Sequence, residues 1–101
     1  SLHAAFPICA MALKNLMGLV CDPVGGLVEV PCVKRNVGGA VNALAAADMA
    51  LAGITSKVPV DQVIDAMKEV GDKMDVSLRE TGVGGVAGTP AAQEVVEKLG
   101  M

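Results

Sequence analysis

Three cysteines, Cys9, Cys21 and Cys32, carry the reactive thiols of this 101-residue chain. Cys9 lies in the apolar run Ile8-Cys9-Ala10-Met11, where a free thiol serves as a small hydrophobe. Cys21 and Cys32 stand in different surroundings. Cys21 falls where a helix gives way to a loop, just ahead of Asp22-Pro23, and Cys32 follows Pro31 at an expected helix start. Backbone N–H groups at loops and helix ends stabilise thiolates and bound sulfide. The intervening Gly25-Gly26 pair lets the chain fold back and turn the two thiols towards one point. Soft sulfur donors of this kind suit an iron–sulfur cluster or zinc. Spacing does not choose between ligation and two structural thiols, because zinc motifs use closer pairs joined by further Cys or His. The sole histidine, His3, sits at the start of the sequence. A zinc site would need a partner chain to complete it.

The residues around the thiols have two readings each. Asp22 either orients the cysteine loop or meets a substrate; without a ligand it is an Asp-Pro turn. Arg35 offers a planar fork for a carboxylate beside Asn36, or is an ordinary solvated charge. Arg79, in Arg79-Glu80-Thr81, faces a substrate or forms a surface pair. The glycine-rich stretch from Gly82 to Gly88 fails the dinucleotide pattern, since Ala87 stands where a third glycine belongs and no strand precedes it. A flexible loop or lid is the functional reading that remains.

Composition narrows the class of protein. Hydrophobic residues make up 52% and charged residues 19%, with a net charge of −3, so the chain is not disordered. Eight basic residues and no Trp or Tyr argue against a nucleic-acid partner. Phe6 is the only aromatic residue, so any core must be built from Ala, Val, Leu, Ile and Met. Three cysteines are an odd and sparse set for a disulfide scaffold, which favours a reducing, cytoplasmic setting. Ser1-Leu2-His3 lacks a basic n-region, so no signal peptide is expected, and no apolar run is long enough for a membrane span.

Helices must position these residues. Ala4 to about Leu16 reads as a helix that is apolar nearly all round. Gly18 to Gly26 reads as a loop, and Leu27 to Val30 as a short extended piece. Pro31 to about Ala52 reads as one long helix or two abutting ones, with Gly38-Gly39 as the weak point. Its second half, Ala40 to Ala52, is expected to be central and buried. Val60 to about Leu78 is the clearest amphipathic helix: Val60, Val63, Ile64, Met67, Val70, Met74 and Leu78 repeat at helical spacing. Thr89-Pro90 reads as an N-cap and first helical residue of a last helix ending near Leu99. The expectation is an all-α single domain over residues 1–101, a compact bundle of four to five helices with glycine-rich loops. Two helices apolar on most faces are more than a lone bundle of this size needs, so it is expected to pack against further chain as part of a larger catalytic domain.

The run from Met17 to Asn36, with Cys21-Asp22-Pro23-Val24-Gly25-Gly26 leading to Pro31-Cys32, resembles the iron–sulfur-dependent L-serine dehydratases. The likeness is to their alpha chain, or to the alpha domain of single-chain forms. It continues through Ala47 to Ile54, Ser77 to Gly82 and Gly84 to Pro90, and so covers nearly the whole sequence. The family's alpha region is longer, and this chain resembles its C-terminal part. The resemblance implies a [4Fe–4S] cluster held by three cysteines, with one iron open to substrate. Cys21 and Cys32 match two of those ligands. The third belongs to an upstream motif that Cys9 does not match. Some single-chain relatives also end in a cysteine that reaches the cluster, whereas this sequence ends Leu99-Gly100-Met101.

The implied reaction is Lewis-acid-assisted loss of the serine hydroxyl with removal of the α-proton, giving aminoacrylate, then an imine, then pyruvate and ammonia. No pyridoxal phosphate is implied, because none of the six lysines lies in a Schiff-base motif. The implied partners are L-serine, the remainder of the alpha chain and a beta chain or domain, in an oligomer with no nucleic acid and no membrane. Asp22, Arg35, Asn36 and Arg79 are the implied substrate-side positions, and the α-proton base is not identified. The alternative is a non-catalytic helical interaction domain in which Cys21 and Cys32 are structural.

Overall fold

A computed structural model describes residues 2–26 and 30–100. Among them the regular elements are helices only: α1 (Leu2–Leu16), α2 (Val30–Leu51), α3 (Val60–Lys73) and α4 (Pro90–Lys98). Short 3-10 turns occupy Val24–Gly26, Val76–Leu78 and Gly85–Gly88. The all-α class expected from the sequence is therefore the observed one. The expected extended piece after Gly26 lies largely in residues 27–29, outside the described residues.

The chain divides into two compact units, residues 1–18 with 35–73 and residues 19–34 with 74–101. In the first, α1 packs on α3. Ala10 of α1 and Val63 of α3 are each 1% exposed, and the small alanine leaves room for close approach of the helices. Asn42 of α2 donates from Nδ2 to the Ala12 carbonyl at 2.9 Å, while its Oδ1 accepts from Asn15 at 2.9 Å. This pair joins α1 to α2 by polar side chains. Lys14 donates to Ser56 Oγ at 2.7 Å, fixing the connection that leads into α3. Three surface pairs at i,i+4 spacing, Lys68–Asp72, Glu69–Lys73 and Glu94–Lys98, decorate α3 and α4. Exposed pairs of this kind contribute only about 0.3–0.5 kcal/mol each.

The one-helix reading of α2 is borne out, and two expectations are corrected. α2 passes through Gly38-Gly39 without a break, since neither residue takes a positive φ and nothing lies within 4 Å of where either Cβ would stand. Nor is its second half buried: Ala46 is, but Leu44 is 68% exposed and Leu51 82%. α3 ends at Lys73 rather than near Leu78. The Asp75 carboxylate accepts the Ser77 N–H at 3.0 Å and also its hydroxyl, and so starts a separate 3-10 turn. Local side-chain bonds of this sort compete directly with helix continuation.

In the second unit the 3-10 turns Val24–Gly26 and Gly85–Gly88 pack on α4 and on each other. Thr89 caps α4 as expected, accepting the Ala92 N–H at 3.4 Å, with Pro90 at the first helical position. Gln93 reaches back to the Ala87 carbonyl at 2.6 Å. Ala87, Ala92 and Pro23 are buried in this unit.

Candidate functional site

Cys21 follows the left-handed Gly18 that ends the α1 segment, and it is half-buried. Its main chain is held on both sides. The Cys21 N–H donates to the Leu78 carbonyl at 3.0 Å, and the Cys21 carbonyl accepts the Glu80 N–H at 2.5 Å. Together they form an isolated parallel bridge between Cys21 and Arg79. The bridge depends on the preceding turn, in which Asp75 holds Ser77, the Leu78 N–H reaches the Asp75 carbonyl at 2.9 Å, and the Arg79 N–H reaches the Val76 carbonyl at 3.2 Å. The Ser77 hydroxyl, its N–H, and more weakly the Arg79 charge hold the Asp75 carboxyl below its ordinary value of 3.8. Thr81 Oγ1 closes the turn on the Val76 carbonyl at 2.9 Å. Glu80 lies at φ +63, the only non-glycine residue with positive φ among the described residues. A left-handed conformation costs an L-residue about 1–2 kcal/mol, so this strain is held at the residue that pairs with Cys21.

Asp22 is half-buried, and its carboxylate accepts the Val86 N–H. The glycines opposite explain how that contact is made. Gly85 has φ +59, and a Cβ there would lie 2.9 Å from Asp22 Cγ and 3.0 Å from Asp22 Cβ. At Gly84 a Cβ would lie 2.7 Å from the Ser77 carbonyl oxygen. The glycine-rich segment is thus a packed turn, bonded to the cysteine loop through Asp22. Its glycines serve close approach and positive φ.

Cys32 is half-buried on the first turn of α2. The opening turn of a helix presents N–H groups that no helical carbonyl uses. Arg35 and Asn36 follow one turn later on the same helix, both exposed. Arg79 is exposed beside Cys21 along the bridge. The structure therefore brings Cys21, Asp22 and Arg79 together in one unit and places Cys32 in that same unit, with Arg35 and Asn36 assigned to the other. Cys9 is exposed on α1. Among the described residues no group of three Cys, His, Asp or Glu side chains is arranged to hold a metal ion, and no helix is long and apolar enough to cross a membrane.

Sequence reasoning did not single out Asp75, and it gave Ser77, Glu80 and Gly85 no part in shaping the Cys21 loop, though all four do so. Asp75-x-Ser77 is a readable turn signature. Nothing in the sequence marks Glu80 as left-handed.

Comparison with known proteins identifies the lineage. Residues 2–87 match the family model of the serine dehydratase alpha chain. A probable L-serine dehydratase alpha chain of Bacillus subtilis is 64% identical over 90 residues, 89% of this chain and 30% of the relative. One from Latilactobacillus sakei is 69% identical over 81 residues, 80% of this chain and 39% of the relative. The L-serine dehydratase alpha chain of Peptoniphilus asaccharolyticus is 50% identical over 95 residues, 94% of this chain and 31% of the relative. The chain thus spans about a third of the length of these relatives. No solved structure matches it. With a model match from Leu2 to Ala87 and half or more of the residues shared with each of these relatives, the chain belongs to the serine dehydratase alpha-chain family.

Proposed function

We propose that this chain is the Cys21- and Cys32-bearing part of an iron–sulfur-dependent L-serine ammonia-lyase, an enzyme that turns L-serine into pyruvate and ammonia. The observation that carries the reading is the bridge at Cys21. It holds a half-buried thiol on a loop whose main chain is bonded on both sides.

The donor set fits a [4Fe–4S] cluster as a partial shell. Two half-buried thiols stand in one compact unit, one on a fixed loop and one on the first turn of a helix. Thiolates are the donors such clusters take. Two of three cysteine ligands come from these positions, and the third comes from the remainder of the alpha chain. When bound, the cluster supplies Lewis acidity towards the serine hydroxyl. The chain's own residues set the conditions for that chemistry. Cys21 is held by the Leu78 and Glu80 main chain, and Cys32 by the long α2 helix, so neither sulfur needs to be ordered during turnover. Arg79 brings a cation beside Cys21, while Arg35 and Asn36 supply a carboxylate-binding fork and an amide one turn beyond Cys32. The reading places the enzyme in a reducing cytoplasm, where thiol ligands stay reduced.

Partners follow from the uncovered apolar surface. On α2 the residues Val37, Val41, Leu44 and Leu51 fall on one face at helical spacing, interrupted by Asp48, and all are exposed. An apolar stripe of that length is rare on a free monomer surface. The remainder of the alpha chain is its proposed cover, with a beta chain or domain completing the oligomer.

The test is Cys21→Ser and Cys32→Ser in the complete enzyme, prepared without oxygen. Each variant is expected to lose iron and serine-dependent pyruvate formation. Full iron content and full activity in Cys21→Ser would refute the assignment. The isolated 101 residues are expected to hold no stable cluster and to form no pyruvate.

A further inference from the structure

Asp22 is adjacent to the proposed ligand Cys21, and one oxygen of its carboxylate is bonded within the protein. It accepts the N–H of Val86, 64 residues away in sequence, and Gly85 makes room for it by lacking a Cβ. Cys21 is thus bounded on one side by its own bridge to Leu78 and Glu80, and on the other by the Asp22 bond. Both attachments lead into the same segment, residues 75–88.

We infer that Asp22 is a positioning residue, a latch that fastens the cysteine loop to the Gly82–Gly88 turn and so fixes where the Cys21 sulfur stands. This deepens the proposed function and rests on it for the identity of the group the sulfur holds. The latch itself rests only on the Asp22–Val86 bond and the space at Gly85. In this place the carboxylate acts through the hydrogen bond it accepts. Asparagine keeps an acceptor oxygen in nearly the same place, whereas alanine removes it. The two substitutions therefore separate a latch from a substrate-facing acid.

The experiment uses the complete enzyme in cluster-free and reconstituted forms. In the cluster-free form, amide exchange at Val86 and the rate of Cys21 alkylation by iodoacetamide are measured. In the reconstituted form, the half-life of iron release to a chelator and the electron paramagnetic resonance spectrum of the reduced cluster are measured. Asp22→Ala is expected to speed Val86 exchange roughly tenfold or more, as loss of a charge-assisted bond should. It should also raise the Cys21 alkylation rate, shorten iron retention and shift the spectrum. Asp22→Asn is expected to restore all four readouts towards wild type. Gly85→Ala, which leaves Asp22 chemically intact but crowds its carboxylate, should reproduce the alanine effects if Asp22→Ala fails to fold. Unchanged Val86 exchange and alkylation in both Asp22→Ala and Gly85→Ala would overturn the latch. So would an Asp22→Asn enzyme as inactive as Asp22→Ala with exchange and iron retention intact, because that pattern belongs to a carboxylate that meets substrate. Full iron retention in Cys21→Ser would end the cluster reading instead, and the exchange and alkylation measurements would still decide the latch.

Discussion

Replacing Gly85 by alanine tests the packing between the cysteine loop and the glycine turn. Two costs are expected. At φ +59 the backbone is left-handed, which costs alanine about 1–2 kcal/mol relative to glycine. The new Cβ would also stand 2.9 Å from Asp22 Cγ and 3.0 Å from Asp22 Cβ, closer than real methyl contacts allow. The aspartate must then withdraw from the Val86 N–H. A bond to a charged acceptor contributes about 1.5–3 kcal/mol, and since Asp22 is only half-buried the lower end applies. The sum is about 3 kcal/mol by equilibrium urea unfolding. The decisive measurement is the double-mutant cycle with Asp22→Ala. With the carboxylate gone, only the Cβ at position 22, 3.0 Å away, still crowds the methyl, and Gly85→Ala should cost mainly the backbone part, about 1.5 kcal/mol. The coupling energy is then about 1.5 kcal/mol. Two substitutions that add to within about 0.5 kcal/mol would refute the contact as the reason for glycine here.

Further expectations come from the other elements. Asp75 has its carboxyl held below 3.8 by Ser77, so it stabilises the fold while ionised. That contribution is fully present above the unfolded value and is lost as pH falls through the lower folded value. The stability difference between wild type and Asp75→Ala should therefore be constant near neutrality and vanish under acid below pH 3.8, as read by unfolding at a series of pH values. Thr89→Ala should cost about 1 kcal/mol through loss of the α4 cap, with Thr89→Ser restoring most of it in the same unfolding assay. Gly38→Ala and Gly39→Ala should each stabilise α2 by about 0.5–1 kcal/mol, since both are helical and nothing crowds the added methyl. Glu80→Gly should relieve left-handed strain and leave the unfolding midpoint unchanged or higher.

The helices were largely readable because their signals are local. The apolar repeat at Val60, Val63, Ile64 and Met67 announces α3, and Thr89-Pro90 announces α4. The misreadings arose where one local signal outweighed another. Met74 and Leu78 continue the apolar period of α3, but Asp75 takes the Ser77 N–H and turns the chain. At Gly38-Gly39 the sequence left one long helix or two abutting ones open, and one forms, because glycine only lowers helix propensity and need not end a long helix. Cys21 and Cys32 were readable as chemical candidates because thiols are few. The surroundings of Cys21 were not, because the bridge to Leu78 and Glu80 joins main-chain groups across 57 and 59 residues, and main-chain bonds leave no trace in side-chain identity.

The glycine turn shows how the fold and the proposed chemistry meet. Four glycines between Gly82 and Gly88 suggested a mobile lid, because glycine frees the backbone. The same residues also permit close packing, and here that use prevails. Gly84 lies against Ser77, in the turn that Asp75 starts, and Gly85 lies against Asp22, next to Cys21. A bulky residue at either place would push apart the two attachments that hold the cysteine loop. The composition that would make a loop flexible in solvent here permits close packing, since each missing side chain is replaced by a neighbour's backbone or side chain. A cluster ligand benefits from such packing, because a sulfur already held in place loses little conformational freedom when its metal binds. On this argument the glycines act on the thiol through Asp22 and Leu78, and substitutions there should alter metal retention before they alter any contact with substrate.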